Sequence, residues 1–327
     1  MITRARIAGC GGYLPQQILT NADLAERGVD TNDEWIVQRT GIKQRHIAAE
    51  GEKTSDLAIA AARNALAHAG ITDLSTIDGV IVATTTPDKT FPATAVFVQA
   101  ALGLRVGTFA FDVQAVCSGF IYALTVANSF IVSGQAKRML VIGAETMTRL
   151  LDWNDRTTCV LFGDGAGAVV LEAIAGEGTS ADTGILSSHI HTDGYNHALL
   201  ETTGGVSHNQ NVGVLTMAGR EVFKHAVQRL AEVVEDTLKA NNMQKSDIDF
   251  LVPHQANLRI IEATGEKLGL SPEQVVITVA NHGNTSAASV PLALAHAAHQ
   301  NKFKKGDLLL LEAMGAGLTW GATLLRW

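Results

Sequence analysis

Cysteine is scarce: Cys10, Cys117 and Cys159 are the only three in 327 residues. An odd number with no C-x-x-C pair argues against a disulfide framework or a zinc knuckle and fits a reducing cytoplasm. Positive charge is also short. Lys and Arg number 25 against 32 Asp and Glu, a formal charge of −7 that gives no support to a general nucleic-acid or anionic-membrane binder. The opening stretch places Arg4 and Arg6 where an export signal needs an apolar core, so no such signal is expected. The one long uncharged run, Val113 to Ala136, has the length of a membrane span. Gln114, Ser118, Asn128, Ser129, Ser133 and Gln135 interrupt it, and it reads better as a helix buried on all sides. What is plentiful is apolar material, 46% hydrophobic residues against 17% charged. The chain exceeds the usual single core, which implies two domains or one duplicated unit.

Read in order, Arg6 to Gly9 has strand character and Gly9-Cys10-Gly11-Gly12 is expected to turn, since glycine tolerates positive φ. The spacing is not that of a dinucleotide fingerprint, and Pro15 interrupts the helix such a motif requires. Thr20-Asn21-Ala22-Asp23 begins a short helix, and Thr31-Asn32-Asp33-Glu34-Trp35 begins another with capping residues ahead of an aromatic. The second of these helices would carry Trp35 and Arg39 on one face. Thr54 to Gly70 reads as an alanine-rich helix ending on glycine. A buried-type strand follows at Gly79 to Thr84, then a loop through Pro92, a helix over Thr94 to Leu102 and strands at Phe109 to Val113 and Arg138 to Glu145. Helix and strand in alternation predict α/β layers. The glycines of Phe162-Gly163-Asp164-Gly165-Ala166-Gly167 precede a strand and no helix, so they signal close backbone packing and no phosphate loop. His189 and His191 share a strand face without a third metal ligand at a recognisable spacing. Val222 to Leu238 repeats apolar residues at helical spacing.

The last third repeats the plan of the first. Ile248 to Pro253 parallels Ile77 to Val82, and Val275 to Val279 parallels the strand before Cys117. Gly283-Asn284-Thr285-Ser286 opens a second apolar helix, Leu308 to Ala313 parallels Leu140 to Ala144, and Gly321 to Leu325 parallels Gly167 to Leu171. Duplication is the economical explanation. Residues 1–175 would form the half carrying Cys117, and residues 176–327 the half carrying His254 and Asn284. A pseudo-twofold between them brings the two polar helix starts together, with His254 at a strand end, where α/β proteins place ligands.

Cys117 falls where the strand Phe109 to Val113 hands over to the apolar helix from Gly119. There unpaired N–H groups and the helix dipole favour thiolate and can receive an oxyanion. A cysteine in an apolar stretch also reads as a small buried hydrophobe. Likewise, His254 has the reading of a satisfied core histidine, and Asn284 that of a helix cap.

The motifs Asn21-Ala22-Asp23-Leu24, Thr31-Asn32-Asp33-Glu34-Trp35-Ile36-Val37, Arg39-Thr40-Gly41-Ile42 and Phe162-Gly163-Asp164-Gly165-Ala166-Gly167-Ala168 run through the chain. They are joined by Val252-Pro253-His254-Gln255-Ala256-Asn257, Gly283-Asn284-Thr285-Ser286-Ala287-Ala288-Ser289 and Gly317-Leu318-Thr319-Trp320-Gly321. With these, the chain resembles from end to end a β-ketoacyl-acyl-carrier-protein synthase III, a thiolase-fold condensing enzyme that starts fatty-acid synthesis. The resemblance implies a duplicated α/β fold layered α/β/α/β/α and a catalytic set of Cys117, His254 and Asn284. It implies an oxyanion hole from the N–H groups of Cys117 and Ala316, and a homodimer that uses acyl-CoA and malonyl-acyl-carrier protein without metal or redox cofactor. Trp35 and Arg156 match an adenine sandwich; Arg39, Gly219, Phe223, Ala256 and Asn257 match the CoA tunnel. Lys224, Arg259 and Lys267 match the carrier-protein surface, where Glu262 and Glu266 depart from the basic pattern. Ser118 departs from the alanine common after the nucleophile. Phe91 matches a residue that closes the partner's acyl pocket, which implies a short primer such as acetyl. The alternatives are a related condensing enzyme of secondary metabolism, with malonyl-CoA or an unusual acyl donor, and a silent acyl-CoA or carrier-protein binding module.

Overall fold

A computed structural model describes all 327 residues. Its first part runs β1 (Ile2–Tyr13), β2 (Gln17–Thr20), α1 (Asn21–Glu26), α2 (Asp33–Thr40), β3 (Gln44–Ile47), α3 (Thr54–His68), β4 (Gly79–Ala83), α4 (Thr94–Ala101), β5 (Phe109–Val113), α5 (Gly119–Val132), β6 (Arg138–Thr146) and β7 (Asp164–Gly176). The second runs β8 (Gly184–Thr192), β9 (Leu200–Thr202), β10 (Leu215–Met217), α6 (Gly219–Ala240), β11 (Phe250–Pro253), α7 (Leu258–Leu268), α8 (Val279–His282), α9 (Ser289–His299), β12 (Leu308–Gly315) and β13 (Thr319–Arg326).

Two sheets share one plan. The first has the order β1-β7-β6-β4-β5 and the second β8-β13-β12-β11. In each, a parallel pair (β4 with β6, β11 with β12) is continued by two antiparallel neighbours. Strand alternation then assigns the layers. Val80, Val82, Leu140 and Ile142 pack on Leu57, Ala61 and Ala65 of α3. On the opposite face, Ile81 and Val141 join Phe120 and Leu124 of α5, Val290 and Leu294 of α9, and Leu309 and Leu311 of β12. The other face of the second sheet sets Leu308 and Leu310 against Leu230, Val234 and Ile261. The result is helices, sheet, helices α5 and α9, sheet, helices, the expected five layers.

Two local expectations fail for physical reasons. Gly9 to Gly12 does not turn; β1 continues through it. A Cβ at Gly9 would lie 2.6 Å from the Ala65 oxygen, and one at Gly11 would lie 2.3 Å from the Ala65 nitrogen. These glycines let α3 lie directly on the strand. Val275 to Val279 is not a strand: only Val275 bridges to Leu251, and Val279 already begins α8. No helix is long and apolar enough to cross a membrane.

Candidate active site

Each central helix is preceded by a short 3-10 turn, Val116–Ser118 before α5 and Ser286–Ala288 before α9. Val116 at φ 47° and Ser286 at φ 49° occupy the left-handed region, a cost that recurs where a backbone is held for function. The two turns pack on each other, so the helix starts meet as the duplicated plan requires. A Cβ at Gly315 would stand 2.6 Å from the Cys117 nitrogen; only glycine lets the β12–β13 turn approach the nucleophile's peptide.

Cys117, His254 and Asn284 are 4%, 6% and 5% exposed. Burial pushes the Cys117 thiol up to about 12. The helix start opposes that desolvation. Burial likewise pulls His254 down to about 3, so the ring is neutral. Its Nδ1 lies 2.6 Å from Ser289 Oγ, which also accepts the Gln255 N–H at 3.3 Å. A hydroxyl that donates to Nδ1 leaves Nε2 carrying hydrogen, the tautomer that lets the ring donate into the cavity. The Gln255 side chain is saturated, accepting from the Thr278 and Val279 N–H groups and donating to the Pro253 and Val276 carbonyls. It staples the loop that follows β11. Asn284 exchanges main-chain hydrogen bonds with Leu161 and Gly163, and its Oδ1 accepts the Ser286 N–H at 2.9 Å. Its amide NH₂ therefore remains as the donor end.

These three residues line one cavity of about 890 Å³ with Trp35, Arg39, Gly219, Phe223, Lys224, Ala256, Asn257 and Arg259. A second cavity, about 920 Å³, is lined by Val116, Ala316 and Gly317 together with Phe111, Met147 and Leu200. Since Cys117 and Gly315 line the first and their neighbours Val116 and Ala316 the second, the nucleophile sits at the junction of the two. Arg39 and Arg156 stack on the Trp35 ring at 4.5 and 5.1 Å from its centroid.

A family model described as 3-oxoacyl-[acyl-carrier-protein (ACP)] synthase III matches residues 111–194, and one for its C-terminal part matches residues 238–327. A β-ketoacyl-[acyl-carrier-protein] synthase III of Rhodospirillum centenum is 64% identical over 327 residues, covering 100% of both chains. The chain belongs to the β-ketoacyl-acyl-carrier-protein synthase III family. It is an acyltransferase, a condensing enzyme of fatty-acid biosynthesis with the thiolase fold. The crystal structure of the Aquifex aeolicus 3-oxoacyl-[acyl-carrier-protein] synthase III superposes with a TM-score of 0.91 at 48% identity, covering 99% of this chain and 100% of that one. A priming β-ketosynthase from the R1128 polyketide pathway superposes at 0.89 with 35% identity, covering 98% of this chain and 96% of that one.

Of the other sequence-named residues of the synthase, Arg156, Lys267 and Phe91 are not among the lining of this cavity, whereas Lys224 is. Lys267 is exposed on α7 beside exposed Glu262 and Glu266. Lys224 is engaged by Glu221 at 2.9 Å. Phe91 is 82% exposed in the loop before α4. Ser118 does have a consequence: its Oγ lies 2.8 Å from both the Ala115 carbonyl and Thr319 Oγ1, and Thr319 Oγ1 lies 2.8 Å from the Ala316 carbonyl. It ties the nucleophile's turn to the candidate oxyanion turn. Sequence reasoning missed Ser286, Ser289, Gln255 and Glu145, although the first three stand inside motifs it quoted. His189 and His191 gain no third ligand. Cys10, His68 and His299 do offer ligand atoms within 4.8 Å of one another. However, the His68 Nδ1 and His299 Nε2 atoms are engaged by the Cys10 N–H and carbonyl at 3.1 and 3.2 Å, which accounts for both rings as caps on the open edge of β1.

Proposed function

We propose that this enzyme joins a short acyl group, acetyl, to malonyl-acyl-carrier protein in the first condensation of type II fatty-acid synthesis. The observation that carries the reading is the shared cavity, with a thiol, a neutral imidazole and a primary amide at its end and an aromatic ring flanked by guanidinium groups among its lining. Cys117 attacks the acyl-CoA thioester and becomes the acyl carrier. The N–H groups of Cys117 and Ala316 receive the oxyanion. Trp35 and Arg156 hold the adenine, while Arg39, Gly219, Phe223, Ala256 and Asn257 line the path of the CoA arm.

Malonyl-acyl-carrier protein then loses CO₂, and His254 Nε2–H and the Asn284 amide donate to the enolate oxygen that forms. The carbanion attacks the acyl-Cys117 carbonyl and releases the β-ketoacyl product. The residues supply each step without a metal or redox cofactor. Lys224, Arg259 and Lys267 steer the acidic carrier protein. The enzyme acts in the cytoplasm as a homodimer in which exposed Phe91 closes the partner's acyl pocket, and residues 1–175 and 176–327 are its duplicated halves.

Intact-mass measurement after incubation with acetyl-CoA tests the reading. An acetyl adduct is expected on the wild type and absent from Cys117→Ala; no adduct, or one surviving the substitution, defeats it. Acetyl-CoA should also outcompete octanoyl-CoA as primer, and preference for the longer chain would reject the role given to Phe91. The likeness to a polyketide priming β-ketosynthase favours a second reading as a related condensing enzyme of secondary metabolism, and the exposed Glu262 and Glu266 suit one whose extender is CoA-bound. Malonyl-CoA outperforming malonyl-acyl-carrier protein would select it.

A further inference from the structure

Arg45, on β3, is fully buried, and its guanidinium donates to neutral oxygens alone. Nη1 reaches the Leu19 carbonyl at 3.1 Å and Asn21 Oδ1 at 2.9 Å, and Nη2 reaches the Val160 carbonyl at 2.6 Å. A charge buried on such terms adds little to stability. Its use lies in what it holds. Leu19 anchors the arginine to its own hairpin, where the two residues face each other across β2 and β3. The other two acceptors lead to different walls of the cavity that ends at Cys117, His254 and Asn284.

One arm runs through Asn21. Its amide oxygen takes the Arg45 hydrogen bond, and its NH₂ donates to Asp33 Oδ1 at 2.8 Å and to the Ile42 carbonyl at 2.7 Å. Asp33 opens α2 and Ile42 follows its glycine cap, so a single amide ties both ends of the helix that carries Trp35 and Arg39. The other arm runs through Val160. Val160, Leu161 and Phe162 line the cavity, and the chain just beyond Val160 grips Asn284. The Leu161 carbonyl accepts the Asn284 N–H at 2.9 Å, and the Gly163 N–H donates to the Asn284 carbonyl at 3.0 Å. The stem of the arginine fills the space beside that grip. A Cβ at Gly163 would lie 2.9 Å from the Arg45 Cβ, and one at Gly283, itself at φ 68°, would lie 3.1 Å from it.

We propose that Arg45 is a positioning residue for both half-reactions, setting the Trp35 helix through Asn21 and the amide donor Asn284 through Val160. This rests on the roles read above for Trp35 and Asn284. A planar guanidinium presents its donors in fixed directions from two separated nitrogens, whereas a lysine has one nitrogen and no fork. No bond is made or broken at Arg45. It acts by holding peptides at the places where substrate meets them, and misplacement of a reacting group by about 1 Å costs on the order of 100-fold in rate.

The test follows the two half-reactions separately in wild type, Arg45→Met, Arg45→Lys and Asn21→Ala. Rapid-quench intact mass reads acetyl-Cys117 formation against acetyl-CoA concentration, and CO₂ release reads decarboxylation of saturating malonyl-acyl-carrier protein by the acetylated enzyme. Arg45→Met keeps the stem and removes both arms. Its half-saturating acetyl-CoA concentration is expected to rise about tenfold and its CO₂ release to fall about 100-fold. Arg45→Lys keeps the charge without the fork; it should shift both quantities in the same directions by less, and it carries the test if Arg45→Met fails to fold. Asn21→Ala severs the first arm alone, so half-saturation rises while CO₂ release stays at the wild-type rate. A merely structural role would lower the fraction of enzyme that takes up acetyl and leave half-saturation and the rate per acetylated site unchanged. That outcome, or CO₂ release slowed as much by Asn21→Ala as by the Arg45 variants, would overturn the assignment. Absence of any acetyl adduct on the wild type would instead remove the underlying reading of the site.

Discussion

Ser118 and Ser289 touch no reacting atom in the proposed chemistry, yet each fixes a group that does. Ser289 matters most for the decarboxylating half-reaction, because only an imidazole with hydrogen on Nε2 can donate to an enolate. Ser289→Ala removes the partner at 2.6 Å whose hydroxyl, donating, makes Nδ1 the acceptor and leaves the Gln255 N–H without its side-chain contact. Loss of such a bond is worth roughly 1–1.5 kcal/mol, or about tenfold in rate. We expect CO₂ release from malonyl-acyl-carrier protein to fall about tenfold while acetyl-Cys117 forms as in the wild type. An equal fall in both half-reactions would point to general loosening of the turn before α9 and against a role in setting the tautomer.

At the scale of elements, the site depends on how closely two turns and a hairpin can approach, and glycine decides that. Gly315 does not have positive φ; it is needed because any β-carbon would meet Cys117 nitrogen at 2.6 Å and Cβ at 3.0 Å. Gly315→Ala is expected to slow acetyl-Cys117 formation by at least about 100-fold, since small displacements of reacting groups carry penalties of that order. Its stability cost should stay within the roughly 1–3 kcal/mol of ordinary overpacking. Denaturant unfolding and adduct kinetics on the same preparation separate the two, and a variant that unfolds readily but acylates normally would refute the assignment.

The same physics explains what was legible in advance. Strand β5 and the start of the apolar helix α5 at Gly119 were readable because a half-buried strand and an apolar helix declare themselves by period and length. Gly9 to Gly12 was misread as a turn because glycine marks conformational freedom and close approach alike, and only the packed α3 shows which is in use. Val275 to Val279 has strand composition, but only Val275 pairs. Cys117 stood out by its position. His254 and Asn284 acquired partners through the duplicated plan and the family likeness, and the Ser286–Glu145 hydrogen bond was invisible because its partners stand 141 positions apart in sequence.

Across the whole molecule, Arg45 and Glu312 are, like Glu145, buried without an ion-pair partner. Arg45 is held by the carbonyls of Leu19 and Val160 and the Asn21 amide oxygen, and burial draws it down to about 10, still charged at any working pH. Glu312 is fully buried on β12 with neither oxygen partnered, and burial pushes it up to about 8 from 4.5. The sign of its effect on folding follows. Between these values the native state holds a proton that the unfolded chain has released, so its contribution is fully present below about pH 4.5 and is lost as pH rises through about 8. Each unit of pH in that window removes on the order of 1.4 kcal/mol at most. Glu312→Gln keeps the shape and abolishes the titration. Denaturant unfolding should therefore find variant and wild type close at about pH 5, with the variant the more stable at about pH 8. Parallel pH dependence in the two proteins would mean that the native carboxyl ionises with the ease of an exposed one, through water or a rearranged partner.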